Sequence, residues 1–313
     1  MATDRNVYVD TGATGAGDGT SWTDAYVTLT LAEAAEQGDY TAATGSDENV
    51  FYHCRSTGGA DTSATVIDGS TTDATHQINI IGDGTYTRVI TDDINIYPRD
   101  NHGSIENISL TVTGLTTSTR HGIFILPTAA SDWTLNRLDV IGDVGIYAPQ
   151  GIVASNSNLV AHVYNCIVRG WLNSGGFGIK LLNGTSDVRN CVVRGNYNGV
   201  QADTVINCAV ADNTDDFYSA TTVDYCASDD GDGTNAVTPA DWSAVFVDYT
   251  NHDYHLKSTD TDLTGAGSDQ SAYYTTDKEY TAWGATYDIG AFVAPAATGG
   301  TLAGSLALMG VGI

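Results

Sequence analysis

The sequence predicts an all-β solenoid of parallel strands, and three observations carry that reading. The first is a hexapeptide, apolar-x-Asn-(Cys/Ile/Leu)-x-(Val/Leu). It recurs at Ile105-Glu-Asn-Ile-Ser-Leu110, Leu135-Asn-Arg-Leu-Asp-Val140, Val163-Tyr-Asn-Cys-Ile-Val168, Val188-Arg-Asn-Cys-Val-Val193 and Val205-Ile-Asn-Cys-Ala-Val210, with a weaker copy at Val223-Asp-Tyr-Cys-Ala-Ser228. Its fourth position falls at Ile108, Leu138, Cys166, Cys191, Cys208 and Cys226, at spacings of 30, 28, 25, 17 and 18 residues. Self-similarity near this period marks repeats that bury their apolar faces only against their neighbours. The second observation is a Gly-apolar start once per repeat: Gly122-Ile-Phe, Gly151-Ile-Val, Gly178-Ile-Lys and Gly199-Val-Gln. The third is composition. With 35 Gly in 313 residues and only 16% charged residues, Thr, Ser, Asn and Asp fill most polar positions, as suits short strands joined by tight turns.

In chain order, residues 1–45 read as an N-terminal cap. Val7-Tyr-Val is a strand, Gly15-Ala-Gly-Asp-Gly-Thr-Ser-Trp22 a turn region, and Thr30-Leu-Ala-Glu33-Ala-Ala-Glu-Gln-Gly38 a short helix. Thr30 with Glu33 fits a capping box and Gly38 a helix stop. Such a helix would cover the open end of a stack whose strand edge otherwise invites association. Residues 46–230 read as the coils. Positions four and six of the hexapeptide are two apart, the period of a strand with one buried face. Asn at position three suits a left-handed bend between two strands. The Gly-apolar segment supplies a further strand. Residues 231–293 read as a closing segment and residues 294–313 as a tail.

Cysteine usage supports the register. Four of the five Cys occupy one repeat position, so they are expected inside the stack as small apolar groups. Parallel in-register side chains give poor disulfide dihedrals, and no C-x-x-C suggests zinc. Cys54 falls outside the register.

The opening, with Tyr8-Val-Asp10, Gly17-Asp-Gly19, Ser21-Trp22 and Ala25 before the Leu31-Ala32 helix, resembles the start of pectin-lyase-like proteins. The Asn-Cys-Ile-Val and Asn-Cys-Val-Val coils resemble their central rungs. Phe246-Val-Asp248, Asp253-Tyr-His-Leu256 and Asp288-Ile-Gly-Ala-Phe292 are similar to the closing segment of bacterial and viral members. The likeness runs from residue 5 to about 293, although Gly84-Thr-Tyr86 is only a partial match to the usual Pro-Gly-Thr-Tyr. The resemblance implies a single-stranded right-handed parallel β-helix with a short capping helix. That scaffold carries lyases, hydrolases, adhesins and phage tailspikes, so it does not by itself assign a function.

Charge excludes more than it assigns. With 12 Lys plus Arg against 38 Asp plus Glu, the net charge of −26 leaves no basic face for nucleic acid and disfavours anionic lipid. No cofactor is expected, unless the carboxylates take Ca²⁺, a hard cation that favours carboxylate oxygens. Asp229, Asp230 and Asp232 are the best local cluster, although a solvated Asp-Gly turn is the better reading of them. If the protein were a lyase, the resemblance would place the chemistry on Arg169, Arg194 and Lys180 with Asp212 and Asp216. Arg169 and Arg194 occupy equivalent repeat positions and should stack on one face. A hydrolase would need two carboxylates about 5–9 Å apart, a condition that a chain so rich in Asp meets almost anywhere.

The ends shape the functional expectation. Met1-Ala-Thr-Asp-Arg-Asn lacks the basic and apolar runs of a secretory signal, which suits a virion component exposed outside the cell after lysis. Thr301-Leu-Ala-Gly-Ser-Leu-Ala-Leu-Met-Gly-Val-Gly-Ile313 is uncharged and apolar but too short to span a bilayer. Leu302, Leu306, Leu308, Met309, Val311 and Ile313 are its candidate attachment residues, to other virion proteins or to copies of the chain in a homotrimer. The expectation is therefore a non-enzymatic phage spike, fibre or capsid decoration that contacts host surface glycans. A polysaccharide lyase or hydrolase (a tailspike depolymerase) and a secreted bacterial adhesin are the alternatives.

Overall fold

The computed structural model describes residues 2–91, 93–114, 120–142, 149–182 and 185–295. The attachment residues expected in the tail, from Leu302 to Ile313, lie outside these. Among the described residues the strands form three parallel sheets of nine, seven and six strands, with two short helices and one small antiparallel pair. From Ile78 to Ala211 the chain visits the sheets in fixed rotation. His102–Glu106 belongs to the first sheet, Ser109–Thr113 to the second and His121–Ile125 to the third; Ser131–Asn136 then returns to the first. Neighbours within each sheet are therefore successive coils rather than successive strands.

Registers explain the sequence periods. Leu135 pairs with Ile105 and Val163, then Val163 with Val188 and Val188 with Val205. On the second sheet Leu110, Val140, Val168, Val193 and Val210 form one ladder, and on the third Ile123, Ile152, Ile179 and Val200 form another. All three ladders are buried in one core cluster, so each inward residue stacks on its equivalent one coil away.

All six third positions of the hexapeptide take left-handed dihedrals: Asn107, Arg137, Asn165, Asn190, Asn207 and Tyr225, with φ between 47° and 57°. Asn tolerates this region, which explains its recurrence. Arg137 and Tyr225 show that the bend persists where the residue type changes. The next residues, Ile108, Leu138, Cys166, Cys191, Cys208 and Cys226, are at most 2% exposed. Adjacent members of this column approach closely: the Cys166 amide lies 3.4 Å from Cys191 Sγ, and the Cys208 amide 3.4 Å from Cys226 Sγ. All five cysteines are free and buried. Cys54, outside the hexapeptide register, joins the same core from the strand Glu48–Arg55.

The Gly-apolar starts mark the third sheet. A Cβ on Gly122 would lie 2.5 Å from the Gly151 carbonyl oxygen, and one on Gly151 2.5 Å from that of Gly178. Neighbouring coils meet backbone to backbone there, so only glycine fits.

The cap forms with its boundary moved. The helix is Leu29–Glu36, and Thr28, not Thr30, is the N-cap, accepting from the Leu31 amide at 3.2 Å. Thr30 instead reaches across to the Ala64 carbonyl and the Thr65 hydroxyl. Glu33 does not close a capping box, because its carboxylate accepts from Gln37 Nε2 and the Asp68 amide. Leu29 and Ala32 are fully buried in the main core.

The closing segment doubles back over the stack. Trp242, Phe246, Tyr254, Leu256, Leu263, Ile289 and Phe292 cover the outward residues Ile167, Val192, Ala209 and Ala227 of the second sheet. The Asn bends hold it down. Asn207 Nδ2 donates to the Ser268 carbonyl at 2.8 Å, and Asn190 Nδ2 to the carbonyls of Asp288 and Gly290 at 2.9 and 3.0 Å. Arg137 Nε donates to the Asp277 carbonyl at 2.8 Å.

Candidate functional site

Arg169 and Arg194 end consecutive strands of the second sheet, Ile167–Arg169 and Val192–Arg194, and pair directly in register. Inward burial of Val168 and Val193 forces both arginines onto the outer face, at the margin of the closing segment. Arg194 is engaged. Its Nε donates to Asp212 Oδ2 at 2.8 Å, a second nitrogen donates to the Tyr249 carbonyl, and the guanidinium lies 3.5 Å from the Tyr249 ring centroid. Burial alone would lower its pKa, but bonding to Tyr254 and Asp212 raises it on balance, so it stays charged. Gly170, Leu172, Asp212, His252 and Tyr254 complete a cavity of 250 Å³ around the two arginines.

Lys180 does not join them. It lies on the third sheet in Phe177–Leu181, its Nζ 4.6 Å from the Phe177 ring centroid. Proximity in sequence misleads here, because one coil carries the chain from the second sheet to the third within a dozen or so residues. Lys180 instead lines a groove of 800 Å³ with Tyr197, Asn198, Gln201, Asp215 and Tyr218. Tyr218 is 43% exposed and stands edge-on to Phe177, with ring centroids 5.3 Å apart.

Asp216 is also separate from the arginine pair. Fully buried, it accepts from Asn213 Nδ2 at 2.9 Å and from the Asp229 amide at 3.0 Å, which locks two successive turns together. Burial, reinforced by repulsion from Asp230 and Asp229, pushes its pKa up to about 7 despite those bonds. An unfolded carboxyl titrates near 3.8. Between about pH 4 and 7 the folded chain therefore holds the extra proton, and this group's contribution makes stability fall as pH rises. Denaturant midpoints at pH 5 and pH 8 should separate more in the native sequence than in Asp216→Asn. Equal separations would remove Asp216 as the linked group.

The acidic turn is occupied by its own contacts. Asp229 accepts from the Asp212 amide at 2.7 Å and from Trp242 Nε1 at 2.6 Å, and Asp230 accepts from the Asp216 amide at 3.2 Å. Among the described residues no group of three or more His, Cys, Asp or Glu is arranged to hold a metal, so Asp229, Asp230 and Asp232 do not converge.

One polar cluster escaped the sequence reading. On the outer face of the first sheet, His162 Nδ1 bonds Asp187, which also accepts from the Tyr164 hydroxyl at 3.2 Å and from Arg189. Hydrogen bonding to Asp187 raises the His162 pKa against the opposing effect of burial. The signal was present in the repeat: His162 and Asp187 each stand four residues before a column cysteine, so the 25-residue coil brings them side by side. Gln270 and Tyr273 of the closing segment finish the cluster around Arg189, which fits a seam better than an open active site.

No family model, curated protein or solved structure matches the chain. Among the described residues, no helix is long and apolar enough to cross a membrane.

Proposed function

We propose that the three sheets close into a right-handed parallel β-helix of the pectin-lyase-like type, and that the chain is a non-catalytic structural protein of a virion. Closure is supported by the fixed rotation of strands among three sheets and by three apolar ladders meeting in one core. Right-handedness follows the general preference of crossovers between parallel strands. The observation that carries the non-catalytic reading is the engagement in the fold of three of the candidate groups, Arg169 and Lys180 not among them: Arg194 with Asp212 and Tyr249, Asp216 with Asn213 and the Asp229 amide, Asp229 with Trp242. A net charge of −26 keeps an elongated particle component from associating edge to edge. The groove of Tyr197, Tyr218, Asn198, Gln201 and Lys180 offers flat rings and amides to a neutral or mildly polar host glycan. The uncharged tail supplies attachment to a trimer or to neighbouring virion proteins, with no bound cofactor required.

Two measurements test this. The purified chain should release no oligosaccharide from polyuronates or host capsule; release that disappears in Arg194→Ala would move the protein to the lyase class. In sedimentation, the full chain should run as an oligomer and a chain ending at Pro295 as a folded monomer. Identical sedimentation would remove the tail from assembly.

A further inference from the structure

Independently of the virion reading, we propose that the cavity walled by Arg169, Arg194, Leu172, His252 and Tyr254 binds a small organic carboxylate. Charge pairing sets Arg169 apart. The other eight arginines of the sequence each hold an Asp or Glu, from Arg5 with Glu36 to Arg194 with Asp212. Arg169 makes no hydrogen bond or ion pair with any described residue, in a chain with 38 acidic groups.

Its position sharpens the point. Arg169 and Arg194 are direct register partners, and like charges opposite one another on a sheet repel. Asp212, 2.8 Å from Arg194, pairs with Arg194 and is the one carboxylate in the cavity wall. One positive charge is left over in the cavity. His252 adds no second one: burial and then the two arginines lower its pKa, so near neutral pH it presents an uncharged ring. That ring is fixed by a 3.0 Å bond between Nδ1 and the Tyr254 hydroxyl, and the residue takes a left-handed φ of 68°.

The remaining wall selects the kind of anion. Leu172 is a large apolar side chain left 49% exposed beside the guanidinium, and the 250 Å³ volume admits about one six-membered ring. A planar carboxylate suits a guanidinium fork, and an attached ring would cover Leu172. A bare sulfate would leave the leucine uncovered. The cavity also lies on a different sheet from the Tyr218 groove, so occupancy of one is separable from occupancy of the other.

Ligand-observed NMR titrations of the full chain at low salt test the proposal, with benzoate and D-glucuronate as probes and benzamide, glucose and inorganic sulfate as controls. At least one carboxylate should saturate with a dissociation constant of about 1 mM or tighter, and its neutral counterpart should bind at least about tenfold more weakly. Arg169→Gln should weaken carboxylate binding by at least about tenfold while leaving the melting temperature unchanged, because no described partner is lost. Leu172→Gln should weaken the carboxylates but not sulfate. The proposal is overturned if neither carboxylate saturates, if benzamide or sulfate matches benzoate, or if Arg169→Gln binds as the native chain does.

Discussion

Replacing Arg88 by alanine should destabilise the protein by about 3–5 kcal/mol, among the largest effects of any single substitution outside the apolar ladders. Arg88 and Asp61 are an ion pair at 2.7 Å with both side chains fully buried. The guanidinium also donates to Asn95 Oδ1 at 2.7 Å, the Tyr86 hydroxyl at 2.9 Å and Thr65 Oγ1 at 2.9 Å. Asp61 in turn accepts from the Tyr86 hydroxyl at 2.7 Å and from the Leu29 amide at 3.1 Å, so the cluster joins the capping helix to the first coils. Burial alone would lower the arginine pKa, but Tyr86 and Asp61 reverse it and the charge is kept. Removing the arginine strands a carboxylate in the core, and that stranded charge, more than the lost attraction, sets the cost. Arg88→Lys should fall between, since an ammonium keeps the charge but not the planar fork. Urea denaturation gives the comparison; a loss below about 1 kcal/mol for Arg88→Ala would show that solvent reaches the cluster.

The parts of the fold that repeat were legible in the sequence. The column from Ile108 to Cys226 and the bends from Asn107 to Asn207 stand where the hexapeptide put them, because every coil solves the same packing problem with the same few residue types. Non-repeating contacts were not legible. Nothing local to Asp61 and Arg88 reveals that they meet, since the pairing depends on the lengths of the loops between them. The helix boundary slipped from Thr30 to Thr28 because two threonines stand two residues apart and tertiary contact with Ala64 and Thr65 recruits one of them. Of the residues a lyase would use, the register brought together Arg169 and Arg194, with Asp212 added by the following turn. Lys180 and Asp216 were grouped with them only by sequence proximity, which a three-sheet coil scatters over different faces. The closing segment was recognised as a unit, but its anchoring on the Asn bends was not. The same asparagines have two tasks, and the repeat pattern reports only the first.

Asn190 separates those two tasks experimentally. It is fully buried with φ 47°. Its Nδ2 donates to the carbonyls of Asp288 and Gly290, and its Oδ1 accepts from Asn207 Nδ2 at 3.1 Å and from the Tyr274 hydroxyl. Asn190→Ala should cost about 3–5 kcal/mol, combining roughly 1–2 kcal/mol for an alanine in the left-handed region with the buried polar groups left unpaired. Asn190→Gly removes the side-chain bonds but accepts the dihedral, so it should recover roughly 1–2 kcal/mol of that loss. Asn190→Asp preserves size and bend but sets a carboxylate against two carbonyl oxygens, and it should damage the clasp without disturbing the bend. Hydrogen exchange distinguishes the two tasks. In the Gly and Asp variants protection should fall first at Gly265 and Ile289, whose amides are held by Asp288 and Leu263, while the strands Leu159–Tyr164 and Asp187–Arg189 keep theirs. If protection instead falls evenly over sheet and closing segment, the bend and the clasp are one cooperative unit. The closing segment would then be part of what folds the coils, not a cover laid over a finished stack.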